Sequence, residues 1–340
     1  MRMARVGRLS GPGGWRTLRV SAAAVTVVGV LGAVSPAVAA SSQALGWTQQ
    51  HPAASPPGQH AVPMAYDAAT GTDVLFGYQD DLLQRSGTWT WDGSTWTQQA
   101  PASSPPARLY AAMVYDAATG TVVLFGGQNN SGWLGDTWTW DGTTWTRRTP
   151  AAHPPPLARA AMAYDAATGT VVLFGGQNST RPFAGSTWTW DGTTWTRQNP
   201  GSGPPPRNGA VMAYDAAAGT VVLFGGNGRH RPLADTWTWD GSTWTKQNLA
   251  VHPSTRIQAA MAYDAATSSV VLFGGQGTSS GRLLGDTWTW DGTTWTQQAA
   301  ASSPSARDGA AVAYDAAAGN VVLFSGNDLS GFPNDTWTWG

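Results

Sequence analysis

"DTWTWDGTTWTQQ" (residues 286–298) places three tryptophans within eight residues, and residues 136–148 repeat it almost unchanged as "DTWTWDGTTWTRR". In both copies Thr and Trp alternate strictly before the Asp-Gly pair, which is typical of a β-strand whose side chains point to its two faces in turn. Asp-Gly between two such runs is a strong signal for a hairpin turn. The stretch therefore predicts two adjacent antiparallel strands rich in tryptophan.

A second motif, "YDAATGT" and its close variants, shows that the whole chain is repetitive. Successive copies are 49–51 residues apart, which is the spacing of a modular array rather than of separate domains. The tyrosines that mark the six copies are Tyr66, Tyr115, Tyr164, Tyr214, Tyr263 and Tyr314.

Each copy contains four short segments with strand character. In the third copy these are strand a (159–164), strand b (170–174), strand c (187–190) and strand d (195–198). The a–b and c–d turns are short and nearly constant, whereas the b–c and d–a connections vary in length and composition. No helical periodicity follows residue 40.

Six units of four antiparallel strands predict an all-β fold, a six-bladed β-propeller in one domain spanning 41–340. The last copy stops at "DTWTWG" (335–340), after strand c, whereas "LGWTQQ" (45–50) is a strand d without the preceding three. We therefore expect this N-terminal strand to complete the last blade as its outer strand, which removes a free sheet edge. The predicted blade modules are 58–99, 107–149, 157–198, 206–247, 255–298, and 306–340 plus 46–50.

The order "Arg…Ala…Tyr-Asp", "VVLFGG", "DTWTWD" and a Trp in strand d resembles the kelch repeat of the galactose-oxidase central domain and other kelch propellers. The resemblance covers residues 45–340. The paired glycines after strand b are altered in the first copy (Gly77/Tyr78) and the last (Ser325/Gly326). The resemblance implies a fold, while function has to be argued from a site.

Residues 1–40 have the features of a signal peptide, with a basic leader, an apolar run at 20–34 and small residues at 35–40. A retained membrane anchor is the alternative, but the run is shorter than the roughly 20 residues that a span needs. We expect cleavage after Ala39 or Ala40, secretion to the extracellular space, no stable membrane span afterwards, and a monomer.

Composition narrows the classes of partner and cofactor. Residues 1–40 contain five Arg and no Asp, which leaves 14 basic residues against 20 Asp and a formal charge of −6. This charge argues against nucleic acid as a partner. The chain has no Cys, so disulfides and the Cys–Tyr copper radical centre of galactose oxidase are both ruled out.

Tryptophan could form an aromatic binding stripe or fill the wedge between blades. The two Trp of strand c are two residues apart and share one face, and their presence in all six copies favours packing between blades. The Met column in strand a is likewise interpreted as packing rather than as a soft-metal site.

The variable b–c and d–a connections are the predicted binding face, because variable loops on a rigid scaffold usually carry binding. Four Arg precede strand a and could attract a carboxylate, a phosphate or an acidic peptide at the channel mouth, or could instead brace their own loops. Seven residues in the b–c connections break the repeat: Trp133, Arg181, Phe183, His230, Arg231, Arg282 and Phe332. Three of them are predicted to add a stacking or polar contact, with loop packing as the alternative for the aromatic one. The predicted ligand-binding residues are Arg108, Arg207, Arg256, Arg307, Trp133, Arg282 and His230.

No catalytic motif is found. The five His show no metal-ligand spacing, Glu is absent, and most Asp occupy repeated turn positions. We therefore predict no metal and no cofactor. The predicted function is a non-catalytic ligand-binding or protein-interaction module, with an extracellular glycan or protein as partner. The alternative is a sugar-active enzyme, oxidase-like or lyase-like, with a divergent active site.

Overall fold

A computed structural model describes residues 45–80, 85–277 and 281–340. This part of the chain contains strands and turns but no helix, and hence no helix that could cross a bilayer. The predicted signal peptide (1–40) lies outside the described residues.

Six four-stranded antiparallel sheets form the blades, and three additional two-stranded sheets lie beside strands a and b in blades two, four and five. Within a blade the strands follow one another from the axis outward. The strands are β1 (Trp47–Gln50); in blade one β2 (Met64–Asp67), β3 (Thr72–Asp80), β4 (Arg85–Trp91) and β5 (Trp96–Gln99); in blade two β6 (Ala112–Asp116), β7 (Thr121–Phe125), β8 (Gln128–Asn129), β9 (Gly132–Trp133), β10 (Thr137–Trp140) and β11 (Trp145–Arg148); in blade three β12 (Ala158–Asp165), β13 (Thr170–Gln177), β14 (Thr187–Trp190) and β15 (Trp195–Gln198); in blade four β16 (Arg207–Asn208), β17 (Val211–Asp215), β18 (Thr220–Phe224), β19 (Asn227–Gly228), β20 (Thr236–Trp239) and β21 (Trp244–Gln247); in blade five β22 (Arg256–Ile257), β23 (Ala260–Asp264), β24 (Ser269–Phe273), β25 (Gln276–Gly277), β26 (Thr287–Trp290) and β27 (Trp295–Gln298); in blade six β28 (Ala311–Asp315), β29 (Asn320–Phe324) and β30 (Thr336–Trp339).

The six-bladed propeller and its terminal closure are confirmed. Strand β1 is the outer strand of blade six and pairs with β30 in antiparallel register, with Trp47 opposite Trp339 and Gln50 opposite Thr336. The N-terminal and C-terminal strands of the propeller thus belong to one sheet, and the circle of blades closes by backbone hydrogen bonds.

The core consists of six apolar clusters, each between two neighbouring blades. The Val-Val-Leu-Phe run of strand b is almost completely buried because both faces of each blade are covered by other blades. The second Trp of strand c is fully buried in every blade, so the structure confirms the packing interpretation for these residues: Trp91, Trp140, Trp190, Trp239, Trp290 and Trp339.

The strand d tryptophans join each blade to the one before it. Trp145 Nε1 donates to Thr88 Oγ1 of the preceding blade at 2.9 Å, and its ring meets Phe76 of that blade at a centroid distance of 5.4 Å. Trp47 makes the equivalent contacts from β1, to Thr287 Oγ1 at 2.9 Å and to the ring of Phe273. The closing strand therefore forms the same joint as the other five outer strands.

The two kinds of turn meet on one face of the propeller. In the c–d hairpin of blade two, Asp141 Oδ1 accepts the backbone N–H groups of Thr143 and Thr144 at 2.9 Å each. Gly142 of this turn has φ of 94° and packs against Thr70 in the a–b turn of blade one. The b–c and d–a connections lie at the opposite ends of the strands, where the candidate site is found.

Candidate functional site

At the channel mouth on the b–c/d–a face, six backbone groups form a closed ring of hydrogen bonds. One residue per blade donates its N–H to the carbonyl oxygen of the matching residue in the preceding blade, at 2.8–2.9 Å. All six have positive φ, between 53° and 62°. In chain order they are Ala61, Tyr110, Arg159, Gly209, Gln258 and Gly309.

Four of these six residues are not glycine, although a left-handed backbone favours glycine. Such conformations cost of the order of 1 kcal/mol or more and persist where the surroundings impose them, often at functional sites. In this ring the conformation is imposed by the closed hydrogen-bond circle. It holds the side chains of Tyr110, Arg159 and Gln258 around the mouth on a rigid backbone.

His60, Asp308 and Gln258 meet at the mouth, although they come from three different blades. Nε2 of His60 lies 3.3 Å from Oδ2 of Asp308 and 3.3 Å from the side-chain nitrogen of Gln258. Asn327 Nδ2 donates to Oδ1 of Asp308 at 3.0 Å. The Asp308 side chain is 5% exposed and that of His60 is 18% exposed, so the cluster lies at the edge of the solvent.

Arg159 and two aromatic rings complete the cluster. The guanidinium carbon of Arg159 lies 4.1 Å from the centre of the Tyr110 ring, a cation–π geometry. His60 meets Tyr110 edge to face at 5.7 Å, and Phe332, which is 52% exposed, stacks on His60 at 6.0 Å. Nε of Arg159 is buried and has no hydrogen-bond partner among the described residues.

Burial raises the pKa of Asp308, but hydrogen bonds from His60 and Asn327 and the positive charges of His60 and Arg159 outweigh burial and lower its pKa below the usual range. Asp308 is therefore a carboxylate at neutral pH. The mouth thus combines a fixed anion, a guanidinium with one unsatisfied donor, and two aromatic faces.

The channel itself is narrow. The cavity at the mouth has a volume of about 130 Å³ and the one between the inner strands about 170 Å³. Pockets that enclose a drug-sized ligand usually have roughly 300–1,000 Å³. A ligand would therefore lie across the b–c/d–a face and insert at most a small group into the mouth.

The structure places the four predicted arginines behind the mouth, each in a buried ion pair. Nη1 and Nη2 of Arg108 donate to the two carboxylate oxygens of Asp136 at 2.6 and 3.0 Å, and Nε and Nη1 also donate to the carbonyl oxygens of Pro106 and Gly126. The same carboxylate accepts the indole N–H of Trp138 at 2.7 Å. The other pairs are Arg207 with Asp235, Arg256 with Asp286, and Arg307 with Asp335.

These guanidinium groups brace their own blades, which is one of the two roles predicted from the sequence. Each Arg is at most 2% exposed. Burial raises the pKa of Asp136, but the hydrogen bonds and charge of Arg108 outweigh burial and lower it, as in the pairs of Asp235 and Asp286. Their contact with a ligand remains a prediction, and it would require these ion pairs to open.

The other predicted ligand contacts lie in b–c connections of three blades. Trp133 is half-buried in the small hairpin β8–β9 of blade two, which the sequence did not predict. His230 and Arg282 are exposed in blades four and five. Because blades two and five are on opposite sides of the axis, the structure does not bring Trp133 together with Arg282.

Charge is separated between the two faces of the propeller. The a–b and c–d turns contain eleven Asp and no Lys or Arg; the six Asp of the a–b turns are buried, but the five of the c–d turns are exposed, so this face is acidic. On the opposite face, four Asp are neutralised by the buried arginines. Most of the remaining basic residues lie on that face or at the adjacent ends of the outer strands, so the total charge of the chain is a poor guide to its ligands.

Sequence reasoning missed the mouth cluster because its residues are far apart in the chain. A signal was present, since the positions five and six residues before each repeat Tyr differ from blade to blade: His60 with Ala61, Leu109 with Tyr110, Ala158 with Arg159, Asn208 with Gly209, Ile257 with Gln258, and Asp308 with Gly309. These positions coincide in space only once the circle of blades is closed.

Comparison with known proteins adds no assignment to this geometry. A scan against models of protein families finds no matching family, and a search of curated proteins finds no matching relative. Within the described ranges, no group of three or more His or Asp side chains is arranged to hold a metal ion.

Proposed function

We propose that this chain is a secreted, kelch-type propeller that binds an extracellular glycan or protein without catalysis, through its b–c/d–a face. The kelch assignment rests on the repeated motifs, and secretion rests on the composition of residues 1–40. The β-propeller is a common protein-interaction fold, so the fold is compatible with this role but does not specify the ligand.

The observation that carries the proposal is the cluster at the channel mouth. There the repeat is broken in several blades, and the substituted side chains converge on one place. Arg159 offers a half-buried guanidinium whose Nε has no hydrogen-bond partner among the described residues, while Tyr110 and Phe332 offer aromatic faces. Aromatic faces with a few oriented polar groups are typical of glycan and protein recognition.

The test is a glycan array probed with the mature chain and with Arg159→Gln. Gln258 has the same backbone conformation at the equivalent position, so Gln is tolerated there. Arg197→Gln is the matched control, because it removes the same charge from the outer strand of blade three, where blades one, five and six already have Gln. We expect the array signal to fall at least about fivefold in Arg159→Gln and to persist in the control.

Equal signals from Arg159→Gln and the wild-type chain, or no glycan bound by either, would contradict glycan binding at the mouth. If no glycan binds, loss of a co-purifying secreted protein in Arg159→Gln alone would support the protein-binding form of the proposal.

The alternative, a sugar-active enzyme, is favoured by one specific contact. His60 and Asp308 form an imidazole–carboxylate pair, which is a common arrangement for general acid–base catalysis. Turnover of an array glycan by the wild-type chain that is lost in His60→Gln, with the fold retained, would support this alternative over simple binding.

A further inference from the structure

A groove of about 710 Å³ lies at the outer rim between blades four and five, on the same side as the b–c and d–a connections. Its walls are the b–c connection of blade four, the end of the outer strand β21 and the chain that leads to blade five. It shares no lining residue with the channel mouth. Its volume is in the range of pockets that hold small ligands.

Two cations in this groove have no partner among the residues that the structure describes. Arg231 and Lys246 are exposed, and neither side chain makes a hydrogen bond or an ion pair with the described residues. The carboxylate of Asp235, which also lines the groove, is bound to Arg207 at 2.6 and 2.9 Å. The groove is therefore positively charged, although the chain as a whole is acidic.

The remaining lining offers hydrogen bonds and apolar surface side by side. His252 also lines the groove, and its Nδ1 donates to the carbonyl oxygen of Pro253 at 2.9 Å, which leaves Nε2 as an acceptor when the ring is neutral. Asn248 is exposed beside it, and Leu233 and Leu249 form apolar walls. A ligand for this surface needs an anionic group, several hydroxyls and apolar C–H faces.

A second depression continues the groove and extends its reach. It has a volume of about 460 Å³, shares Leu249 and Ala250 with the first, and ends at Trp288 and Trp295. An extended polymer could therefore contact both. Of the outer strand β21, only Lys246 and Gln247 line the groove, and this strand edge is too short for a peptide to pair with as an added strand.

We propose that this groove binds an acidic polysaccharide, one whose sugar units carry carboxylate or sulfate groups, through Lys246 and Arg231. The fork of a guanidinium can take a carboxylate or a sulfate by two parallel hydrogen bonds, while the ammonium acts as a point charge. The site is separate from the channel mouth, so each can fail without the other.

Lys246 gives this proposal a direct test, because it is the only lysine of the chain. The mature chain is treated with an amine-reactive acetylating reagent, and modification of Lys246 is followed by mass spectrometry. The probes are oligogalacturonate for the carboxylate, dextran sulfate for the sulfate, neutral dextran and poly-glutamate. We expect one or both acidic saccharides to protect Lys246 at least about fivefold and neutral dextran to give no protection.

Affinity measurements with matched variants complete the test. Lys246→Gln should weaken binding of the protecting saccharide about fivefold and reduce its salt dependence, since Gln occupies this strand position in blades one, five and six. Arg197→Gln removes the same charge at the same strand position in blade three and should bind as the wild-type chain does. Arg159→Gln should also leave the protection of Lys246 unchanged.

Three results would overturn the proposal. The first is that neither acidic saccharide protects Lys246, and the second is that Arg197→Gln weakens binding as much as Lys246→Gln, which would indicate a diffuse charge effect. The third is that poly-glutamate protects Lys246 as well as the saccharides do, which would assign the groove to an acidic protein. Melting temperatures of the variants confirm that each is folded.

Discussion

Arg108 and Asp136 illustrate a pair whose two members are present or absent together across the blades. Four blades contain both the Arg before strand a and the Asp before strand c. Blade one has Gln59 and Gly87 at these positions, and blade three has Leu157 and Ser186. In those two blades the first Trp of strand c has a buried indole N–H without a partner among the described residues: Trp89 and Trp188.

We expect Arg108→Leu alone to lower the free energy of unfolding by about 3 kcal/mol, because it leaves a half-buried carboxylate and two carbonyl oxygens without their donor. The double variant Arg108→Leu with Asp136→Ser, which copies blade three, should recover more than half of this loss. Urea denaturation of the four chains measures the coupling. Additive effects of the two substitutions would show that the pair does not act as a unit.

Asp73 is a charged residue at a position of strand b that is apolar in every other blade. The other five blades have Val at this position, whereas Asp73 is fully buried and neither carboxylate oxygen has a hydrogen-bond partner among the described residues. It lies on the strand face that meets blade six, near Asp315, Asp67 and Tyr66. Burial, and then the charge of Asp315, raise the pKa of Asp73 well above its usual value.

This raised pKa predicts a stability that falls as the pH rises. Below about pH 4 Asp73 is protonated in both states, so its ionisation does not change the free energy of unfolding. Above that pH the unfolded chain ionises first, so the free energy of unfolding decreases towards the higher pKa of the folded chain. We expect Asp73→Val to remove this decrease and to stabilise the chain at pH 7 by about 2 kcal/mol, measured by urea denaturation at pH 4 and pH 7. An unchanged pH dependence in the variant would refute this.

At the scale of the element, β1 determines whether the circle is closed. It contributes a full antiparallel pairing with β30 and the Trp47–Thr287 hydrogen bond between blades. Without it, β30 would become a free sheet edge and Trp339 would lose its covering ring at 5.5 Å.

Removal of residues 41–52 should therefore lower the melting temperature strongly, by more than about 10 °C, since several buried contacts are lost at once. A finer test compares Trp47→Phe with Trp96→Phe, which makes the same contact from blade one to Thr336. Each removes one buried hydrogen bond, and we expect equal losses of about 1 kcal/mol. A much smaller loss for Trp47→Phe would mean that the closing strand packs less tightly than the other five.

At the scale of the whole molecule, the repeat made the architecture predictable from the sequence. The features that were not predicted are formed by residues that depart from the repeat. Blade number, strand order and terminal closure follow from counting copies. The mouth cluster does not, because His60 and Asp308 are 248 residues apart and meet only through closure. The sequence left open whether the four arginines bind a ligand or brace their own loops. Blades one and three lack both the Arg before strand a and the Asp before strand c, and this joint absence indicated that the two residues form a pair.

The groove at the rim of blades four and five also escaped prediction, for a different physical reason. The sequence-based argument about partners used the total charge of residues 41–340, whereas a ligand contacts only one face of the propeller. The acidic turns lie on one side, and Arg231 and Lys246, which have no partner in the described part of the chain, lie on the other. Local potential, rather than net charge, is what an approaching ligand senses.

The closed ring of backbone hydrogen bonds at the mouth has a consequence for how such a chain can change over generations. Near-identical repeats in a gene can recombine unequally, and such an event adds or removes whole copies of about 50 residues. In this propeller every copy contributes one N–H and one C=O to the ring. A gain or loss of one blade would therefore change the mouth itself, because it would bring different side chains to the axis at the same time as it changed the size of the protein.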